Sequence, residues 1–448
     1  MLLYSVRLFA LLWALALIFT GISPVSWSAP LELLWPSLLL LSGGLILLLD
    51  TGSVLALRVA SALCIISWIT NLPAVPNHRW AHLCIALSVL IGGFRAKSIS
   101  EIYDAIRGTL RWLIIIVYFF AALAKMNLTY FDSSVSCSGL FGQQTLGLYG
   151  LDRDISDELS QMISLWSLAV EILLPMLLIS PTCRGFGVWL GVFFHLSLSL
   201  HYVKYFANFS SAMFVLLASW LTEESSQKVY VGLCNRLKVL NRVSMVTIGV
   251  TILASFLRLI NEVEYVLIRH VIFLPFAIRL TYLTFVLRRV SQSVLRVGAP
   301  IGFVILLELL NGFSPYFGVK TRSALTMYSN LRIEPGYSNH FFMPPAFDPF
   351  GYFADAVDVI SSDDPGLNRR METESSRLPY VSFCAYLACQ DDLCNRGNIG
   401  SNVTYRRGSE TLTATLGDPL PKDCPGWVAR KLIFLGPIGS GSERGCNW

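Results

Sequence analysis

The run Trp112-Leu113-Ile114-Ile115-Ile116-Val117-Tyr118-Phe119-Phe120-Ala121-Ala122-Leu123-Ala124-Lys125 decides the class of this chain. It is apolar until a lysine closes it. Such a run reads as a membrane-crossing helix, and an ammonium at the centre of one costs about 2.5–3.5 kcal/mol. Two outcomes relieve that cost. The side chain can snorkel to water from a helix end, or a buried amine can release its proton, and a neutral lysine is a base. Lys125 is therefore either a topological anchor or a chemical group.

Composition agrees with a membrane reading. The chain has 448 residues, 54% of them apolar and 14% charged, against roughly 25% charged in soluble domains. The apolar residues lie almost wholly before about residue 313, and the remainder is polar and rich in turns. These two parts, 1–313 and 314–448, are read as an all-α polytopic membrane domain and a small β-rich C-terminal extramembrane domain. The net charge of +5 is spread over short connections. That is the pattern of topogenic charge rather than of a nucleic-acid surface. Leu8–Ile22 lacks a small-residue cleavage site and reads as a first span rather than a signal peptide.

Apolar runs of spanning length fall at roughly 5–25, 31–50, 54–74, 78–95, 109–127, 161–181, 185–203, 205–221, 243–260, 265–287 and 297–313, so about ten or eleven transmembrane helices are expected. Basic connections (Arg95, Lys97, Arg107, Arg111; Arg184; Lys228, Arg236, Lys238, Arg242; Arg288, Arg289, Arg296) alternate with acidic ones (Asp132, Asp152, Asp154, Asp157, Glu158; Glu262, Glu264). Positive charge marks the cytoplasmic side, which puts the C-terminal domain in periplasm, lumen or extracellular space. Six of the ten cysteines then lie outside: Cys137, Cys384, Cys389, Cys394, Cys424 and Cys446. The Cys384-x4-Cys389-x4-Cys394 spacing lacks a C-x2-C knuckle, so disulfides are expected and no metal. Sequons stand at Asn127, Asn208 and Asn402.

Ionisable and amide groups inside spans mark sites or pathways. Asn77 and His78 open the fourth span, Glu171 lies in the sixth, His195 in the seventh with His201 at its outer end, and Arg258, Arg269 and His270 lie near outer ends of later spans. Together with Lys125 they suggest one outward-facing polar cavity. Each has a plainer reading: capping for His78, an interhelical hydrogen bond for His195, an ion pair for Glu171. His78 and His82 have ligand spacing but no third partner. No G-x-S-x-G, H-E-x-x-H, phosphate-binding or dinucleotide fingerprint is present.

The segment Tyr118–Asn127 resembles the YF-x-AG-x-x-K-L-[DN] stretch of the vitamin K-dependent gamma-carboxylase family and its bacterial relatives, the horizontally transferred transmembrane (HTTM) proteins. Asn77-His78 is similar to that family's Asn-His pair placed near the quinol. Phe194-His195, with Phe209–Met213 and Leu217–Ser219, is similar to its later histidine segment. Tyr328–Arg332, Val403–Gly408 and the block from Asn311 to His340 resemble its last-span exit and outer domain, so the resemblance covers most of residues 75–410. It implies that Lys125 deprotonates a hydroquinone, whose reaction with oxygen yields an alkoxide able to take a glutamate proton before carbon dioxide adds. Ala124 stands where the carboxylase has a second lysine, Tyr130 near a family tryptophan, and the outer region is short. The resemblance thus favours the membrane core over the protein-substrate machinery.

These readings give an expected mechanism. A quinol of the vitamin K type is bound in the outer cavity, Lys125 takes its hydroxyl proton, and His195 and His78 hold the ring oxygens. Asn77, Glu171, Tyr118, His201 and Arg269 complete the substrate site. Membrane lipids, a lipid-soluble quinone and a non-cytoplasmic protein or peptide are the expected partners. The alternative is a non-enzymatic transporter or a lipid- or assembly-binding protein with the same cavity. In the outer domain, Tyr380–Leu387, Asn402–Arg406, Thr411–Leu416 and Trp427–Leu435 read as strands, and Ser361–Ser376 as a mobile loop.

Overall fold

The computed structural model describes residues 3–22, 35–73, 75–151, 156–201, 204–234, 274, 277–286, 290–291, 297–373, 375–388 and 399–439. The expected span 243–260, residues 265–273 of the expected span 265–287, Asp152, Asp154, Arg258, Arg269, His270, Cys389, Cys394 and Cys446 lie outside the described residues. So do the basic residues Arg236, Lys238, Arg242, Arg288, Arg289 and Arg296, and Glu262 and Glu264.

The apolar runs within the described residues are helical. In chain order they are α1 (Leu3–Gly21), α2 (Trp35–Leu49), α3 (Val54–Thr70), α4 (Asn77–Gly92), α5 (Ile99–Lys125), the single turn α6 (Leu128–Phe131), α7 (Cys137–Leu148), α8 (Asp157–Ile179), α9 (Arg184–Ser199), α10 (Lys204–Ala218) and α11 (Ala299–Phe313). Three of them, α1, α5 and α8, are long and apolar enough to cross a membrane. At 1.5 Å per residue, the 19, 27 and 23 residues of these helices span or nearly span a ~30 Å hydrocarbon layer.

Helix α5 starts earlier than its apolar run suggests, because a capping box sits upstream. Ser98 Oγ accepts from the Glu101 amide, and the Glu101 carboxylate accepts from Ser98 Oγ and from the Lys97 amide. Arg107 and Arg111, expected in a connection, therefore lie on the helix. Arg107 pairs with Asp104 at 3.2 Å. Arg111 is buried and donates twice to the Ser219 carbonyl, at 3.0 and 2.7 Å. Its guanidinium and that of Arg184 lie 5.1 and 4.9 Å from the Trp220 ring, joining α5, α9 and the end of α10.

Helix α1 is buried on nearly every side and packs on α2 and α10. A Cβ on Gly44 of α2 would come within 2.7 Å of the Ala14 carbonyl, so the two backbones touch through a small residue, as apolar helices do where no hydrophobic drive separates them from lipid. From there α2 packs on α3, α3 on α4, α4 on α5 and α11, α5 on α8, α8 on α9, and α9 on α10. The face of α8 away from α5 is exposed at Met162, Leu165, Trp166, Leu173 and Met176.

Beyond α11 the chain builds the C-terminal unit. A hairpin of β1 (Ile333–Glu334) and β2 (Tyr337–Ser338) turns at Gly336, whose φ is +81°. A four-stranded antiparallel sheet of order β4-β3-β5-β6 contains β3 (Ala356–Ser362), β4 (Arg377–Pro379), β5 (Asn402–Arg407) and β6 (Glu410–Thr415). Arg407 pairs with Glu410 across a two-residue turn opened by Gly408 at φ +61°.

Two of the expected strands are helices. Tyr380–Leu387 is α13, with all eight residues buried against the sheet. A short apolar run has no periodicity to distinguish strand from helix, and burial on every side favours the form that satisfies its own backbone. Trp427–Leu432 is α14, after which Phe434 bridges Lys320. The expected loop Ser361–Ser376 holds α12 (Pro365–Thr373). Cys384 and Cys424 form a disulfide under this sheet, and Cys137 is also disulfide-bonded, whereas Cys64, Cys84, Cys183 and Cys234 are free.

Candidate functional site

Tyr118 and Lys125 are seven residues apart on α5, hence two turns apart on one face. That face meets α8 and α9. Lys125 Nζ donates to both carboxylate oxygens of Glu171, each at 2.7 Å, and both side chains are buried. Lys125 therefore does not snorkel. The reason is tertiary: after Lys125 the chain folds back as α6 and α7 over the N-terminal half of α8, covering the helix end that looked open to water. Tyr130 of α6 is fully buried, and its ring centre lies 5.9 Å from Lys125 Nζ. Its hydroxyl accepts from Ser138 Oγ at 2.9 Å and donates to the Ser164 carbonyl at 3.4 Å. The plain ion-pair reading of Glu171 thus matches the geometry.

Two turns earlier on the same face, the Tyr118 hydroxyl meets His195 Nε2 at 2.5 Å, and His195 Nδ1 lies 3.2 Å from Ser210 Oγ. This chain links α5, α9 and α10 in a setting walled by Phe209 and Phe214, whose rings lie 5.4 and 6.1 Å from the imidazole. Both ring nitrogens of His195 have partners, as the interhelical hydrogen-bond reading requires.

The remaining candidates occupy other neighbourhoods. His78 lies on α4 with its ring 6.1 Å from that of His82, which meets Trp13 of α1 edge-on at 5.2 Å. Asn77 opens α4 with a buried, unpartnered Oδ1. His201 Nδ1 bonds Thr145 Oγ1 at 2.8 Å, beside Phe206. Arg269 is outside the described residues. Lys125, Glu171, Tyr118 and His195 are thus brought along one face of α5. Asn77, His78 and His201 are distributed around it.

Several participants were not singled out from sequence. Ser210 and Tyr130 are two. Glu308 is a third: this lone carboxylate inside the apolar α11 accepts from the Cys84 thiol at 3.3 Å. Lys320, just past α11, sets its ammonium 4.2 Å from the Trp80 ring centre and 3.5 Å from Asn311 Oδ1. Burial pulls Lys320 down to about 8, against the opposing pull of Glu308. An ionisable residue within an apolar run was the available signal for Glu308.

The C-terminal unit fixes the end of α5. A helix C-terminus leaves carbonyls without intrahelical partners. Here His340 Nε2 donates to the Leu123 carbonyl at 2.8 Å, Asn127 Nδ2 to Ala124 at 2.9 Å, and the Phe341 amide to Met126 at 3.0 Å. Asn127 also donates to the Ser329 carbonyl and accepts from the Tyr130 amide and from Asn339 Nδ2. It is fully buried, and Asn208 nearly so, which leaves Asn402 as the exposed sequon among the three. Ser323, Tyr328 and Asn330 adopt positive φ of 57, 50 and 54° in the connecting segment. There Tyr328 wedges between Phe141 and Phe206, and Asn330 bonds the Cys137 amide and the Val135 carbonyl.

His340 makes this clamp pH-dependent. Its Nδ1 accepts from the Phe342 and Met343 amides, each at 3.0 Å, so the clamp needs a neutral ring. Burial holds His340 below its ordinary value of 6.5, against the Leu123 hydrogen bond. Between the folded and unfolded values the unfolded chain binds the extra proton, so this contribution is present above about 6.5 and is lost as pH falls below it. The midpoint of thermal unfolding should fall as pH drops from about 7.5 toward 5.5, and His340→Gln should flatten that slope. An unchanged slope in the variant would remove His340 as its source.

Chemically, the Lys125–Glu171 pair can pass a proton between its two members and can take up one more from a neighbouring hydroxyl when the anion left behind balances the added charge, and Tyr118, His195 and Ser210 can hold a polar oxygen. Comparison with protein-family models, curated proteins and solved structures finds no match for this chain.

Proposed function

We propose that this chain is a polytopic membrane protein related to the HTTM proteins and the vitamin K-dependent carboxylase family, and that the Lys125–Glu171 pair accepts a proton from a lipid-soluble hydroquinone on the non-cytoplasmic side. The observation that carries this reading is the bidentate ion pair at 2.7 Å, buried between two apolar helices long enough to cross a membrane. Burying such a pair gains little stability by itself, since apolar side chains often fill the same volume at equal or lower free energy. Intramembrane charges of this kind mark functional sites by default.

The donor set suits a hydroxyl-bearing ring. A bound hydroquinone supplies the redox equivalents. Within the pair the Lys125 proton passes to Glu171, and the neutral amine then takes the hydroxyl proton, which leaves its ammonium against the anion so formed, with Tyr130 shielding the pair from water. Tyr118, oriented by His195 and Ser210, offers a hydroxyl further along the same face of α5. The placement of the cysteines supports the orientation: Cys137 and the Cys384–Cys424 pair are oxidised on the side of the C-terminal unit, while exposed Cys183, at the start of α9, is a free thiol.

The test uses the full chain in phospholipid vesicles with a short-chain naphthohydroquinone, following quinol oxidation and oxygen uptake. Lys125→Ala and Lys125→Arg should each lower turnover by about 10²–10⁴-fold. Arginine keeps the charge beside Glu171 but stays protonated, so wild-type turnover in Lys125→Arg would rule out the proton-accepting role. Quinol binding without turnover by the wild-type protein would instead favour a non-enzymatic binding or transport protein.

A further inference from the structure

The exposed face of α11 does not stop where the helix stops. Phe303, Leu306, Leu310 and Phe313 form an exposed stripe at i, i+3, i+7 and i+10, and Phe317 continues it one turn past the helix end. Ring contacts join this stripe to α5. Phe119, itself exposed, meets Phe120 at 5.2 Å, Phe120 meets Phe313 at 4.8 Å, and Phe313 meets Phe317 at 6.5 Å. A Cβ at Gly312 would fall inside the Phe120 ring, so the glycine is what allows α5 and α11 to close on one another.

The C-terminal unit extends the same surface. The Phe347 amide bonds the Tyr316 carbonyl at 3.1 Å, which sets this segment beside Phe317. On the α5 side, the Phe341 amide bonds Met126 and its ring stacks on Phe131 at 6.3 Å. Phe342, Phe347 and Phe350 are 72, 66 and 63% exposed. The stretch Phe341–Phe350 carries one ionisable group, Asp348, and its carboxylate is occupied by the amides of Tyr352, Phe353 and Ala354. Isolated exposed apolar residues need no explanation, but a contiguous aromatic patch does.

We propose that this aromatic rim seats in the interfacial layer of the same bilayer that the helices cross, with phospholipid as its occupant. The inference rests on the spanning reading of the helices given above. Continuity is the argument for lipid over a protein partner: the rim follows the exposed apolar stripe of α11 through Phe317, and exposed Phe119 of α5 is joined to that stripe through Phe120. Amphipathic elements bury such rings at the boundary between headgroups and acyl chains. The C-terminal unit is then held at a set height over the end of α5, where Asn127 and His340 cap the helix that carries Lys125.

The test places a nitroxide at Phe342→Cys and, separately, at Phe350→Cys, in the full chain with Cys183 and Cys234 changed to serine, reconstituted in phosphatidylcholine vesicles. Collision rates with oxygen and with a water-soluble nickel chelate report depth. Phe303→Cys serves as the spanning-face reference and the exposed Thr411→Cys, on β6, as the aqueous one. Oxygen should exceed nickel severalfold at Phe342 and Phe350, as at Phe303, with the reverse at Thr411. Nickel-dominated collisions at Phe342 and Phe350 while Phe303 remains oxygen-dominated would overturn the rim proposal alone and point to a protein partner. Nickel-dominated collisions at Phe303 would overturn the spanning reading and the rim with it.

Discussion

Glu171→Leu should lower stability by about 3–5 kcal/mol and abolish turnover, whereas the double variant Lys125→Met/Glu171→Leu should regain most of the stability and none of the turnover. The single change strands the Lys125 ammonium with its two 2.7 Å acceptors gone and the Tyr130 ring as its remaining close neighbour. An uncompensated buried charge carries its full desolvation cost. The double change removes both charges and fills their volume with apolar atoms, and in a buried setting such replacements are often neutral or stabilising. Thermal unfolding in detergent and quinol oxidation in vesicles separate the two effects. If the double variant is as unstable as the single one, the pair is a structural rivet. If it keeps turnover, the pair is not the proton acceptor.

Asn127→Ala should cost roughly 3 kcal/mol, since the buried amide serves four partners and truncation leaves buried polar groups unmet. These are the carbonyls of Ala124 and Ser329, the Tyr130 amide and the Asn339 side chain. They belong to the end of α5, the segment over Lys125 and the C-terminal unit, so the loss should loosen all three together. Turnover should fall with stability even though Asn127 touches no reacting group, because Lys125 is two residues away on the same helix end. Asn402→Ala is the control: Asn402 is exposed on β5, and surface changes of this kind stay within about 0.5 kcal/mol. A stability loss at Asn127 no larger than at Asn402 would show that the clamp does not hold α5.

The helices α1–α5 and α8–α11 were legible because each lies in a continuous apolar run, and that signal needs no knowledge of neighbours. Boundaries were less so. The start of α5 at Ile99 was written in Ser98-x-x-Glu101, but the capping box lies in a polar stretch that hydropathy passes over. Tyr380–Leu387 was read as a strand because seven apolar residues interrupted by Ser382 carry neither a period of 2 nor one of 3.6. In contrast, Asn402–Arg406 and Thr411–Leu416, read as strands, correspond within a residue at each end to β5 and β6, since β-branched and polar residues alternate there and Gly408 marks the turn.

The chain alone therefore determined that Lys125 and Glu171 are ionisable groups inside apolar helices, and that the helices must exist. It could not determine that they touch. They are 46 residues apart, and their meeting depends on the rotation of α5 about its axis, its axial offset from α8, and the fold-back of α6 and α7. The same holds for His195, whose partners sit on α5 and α10, and for the clamp of Asn127, Asn339 and His340. A hydropathy run records the solvent that a segment prefers, which is a property of the segment itself. Contact between two side chains on different helices is set by packing, a property of the pair, so Lys125 became an ion-paired group beneath Tyr130 only in the folded chain.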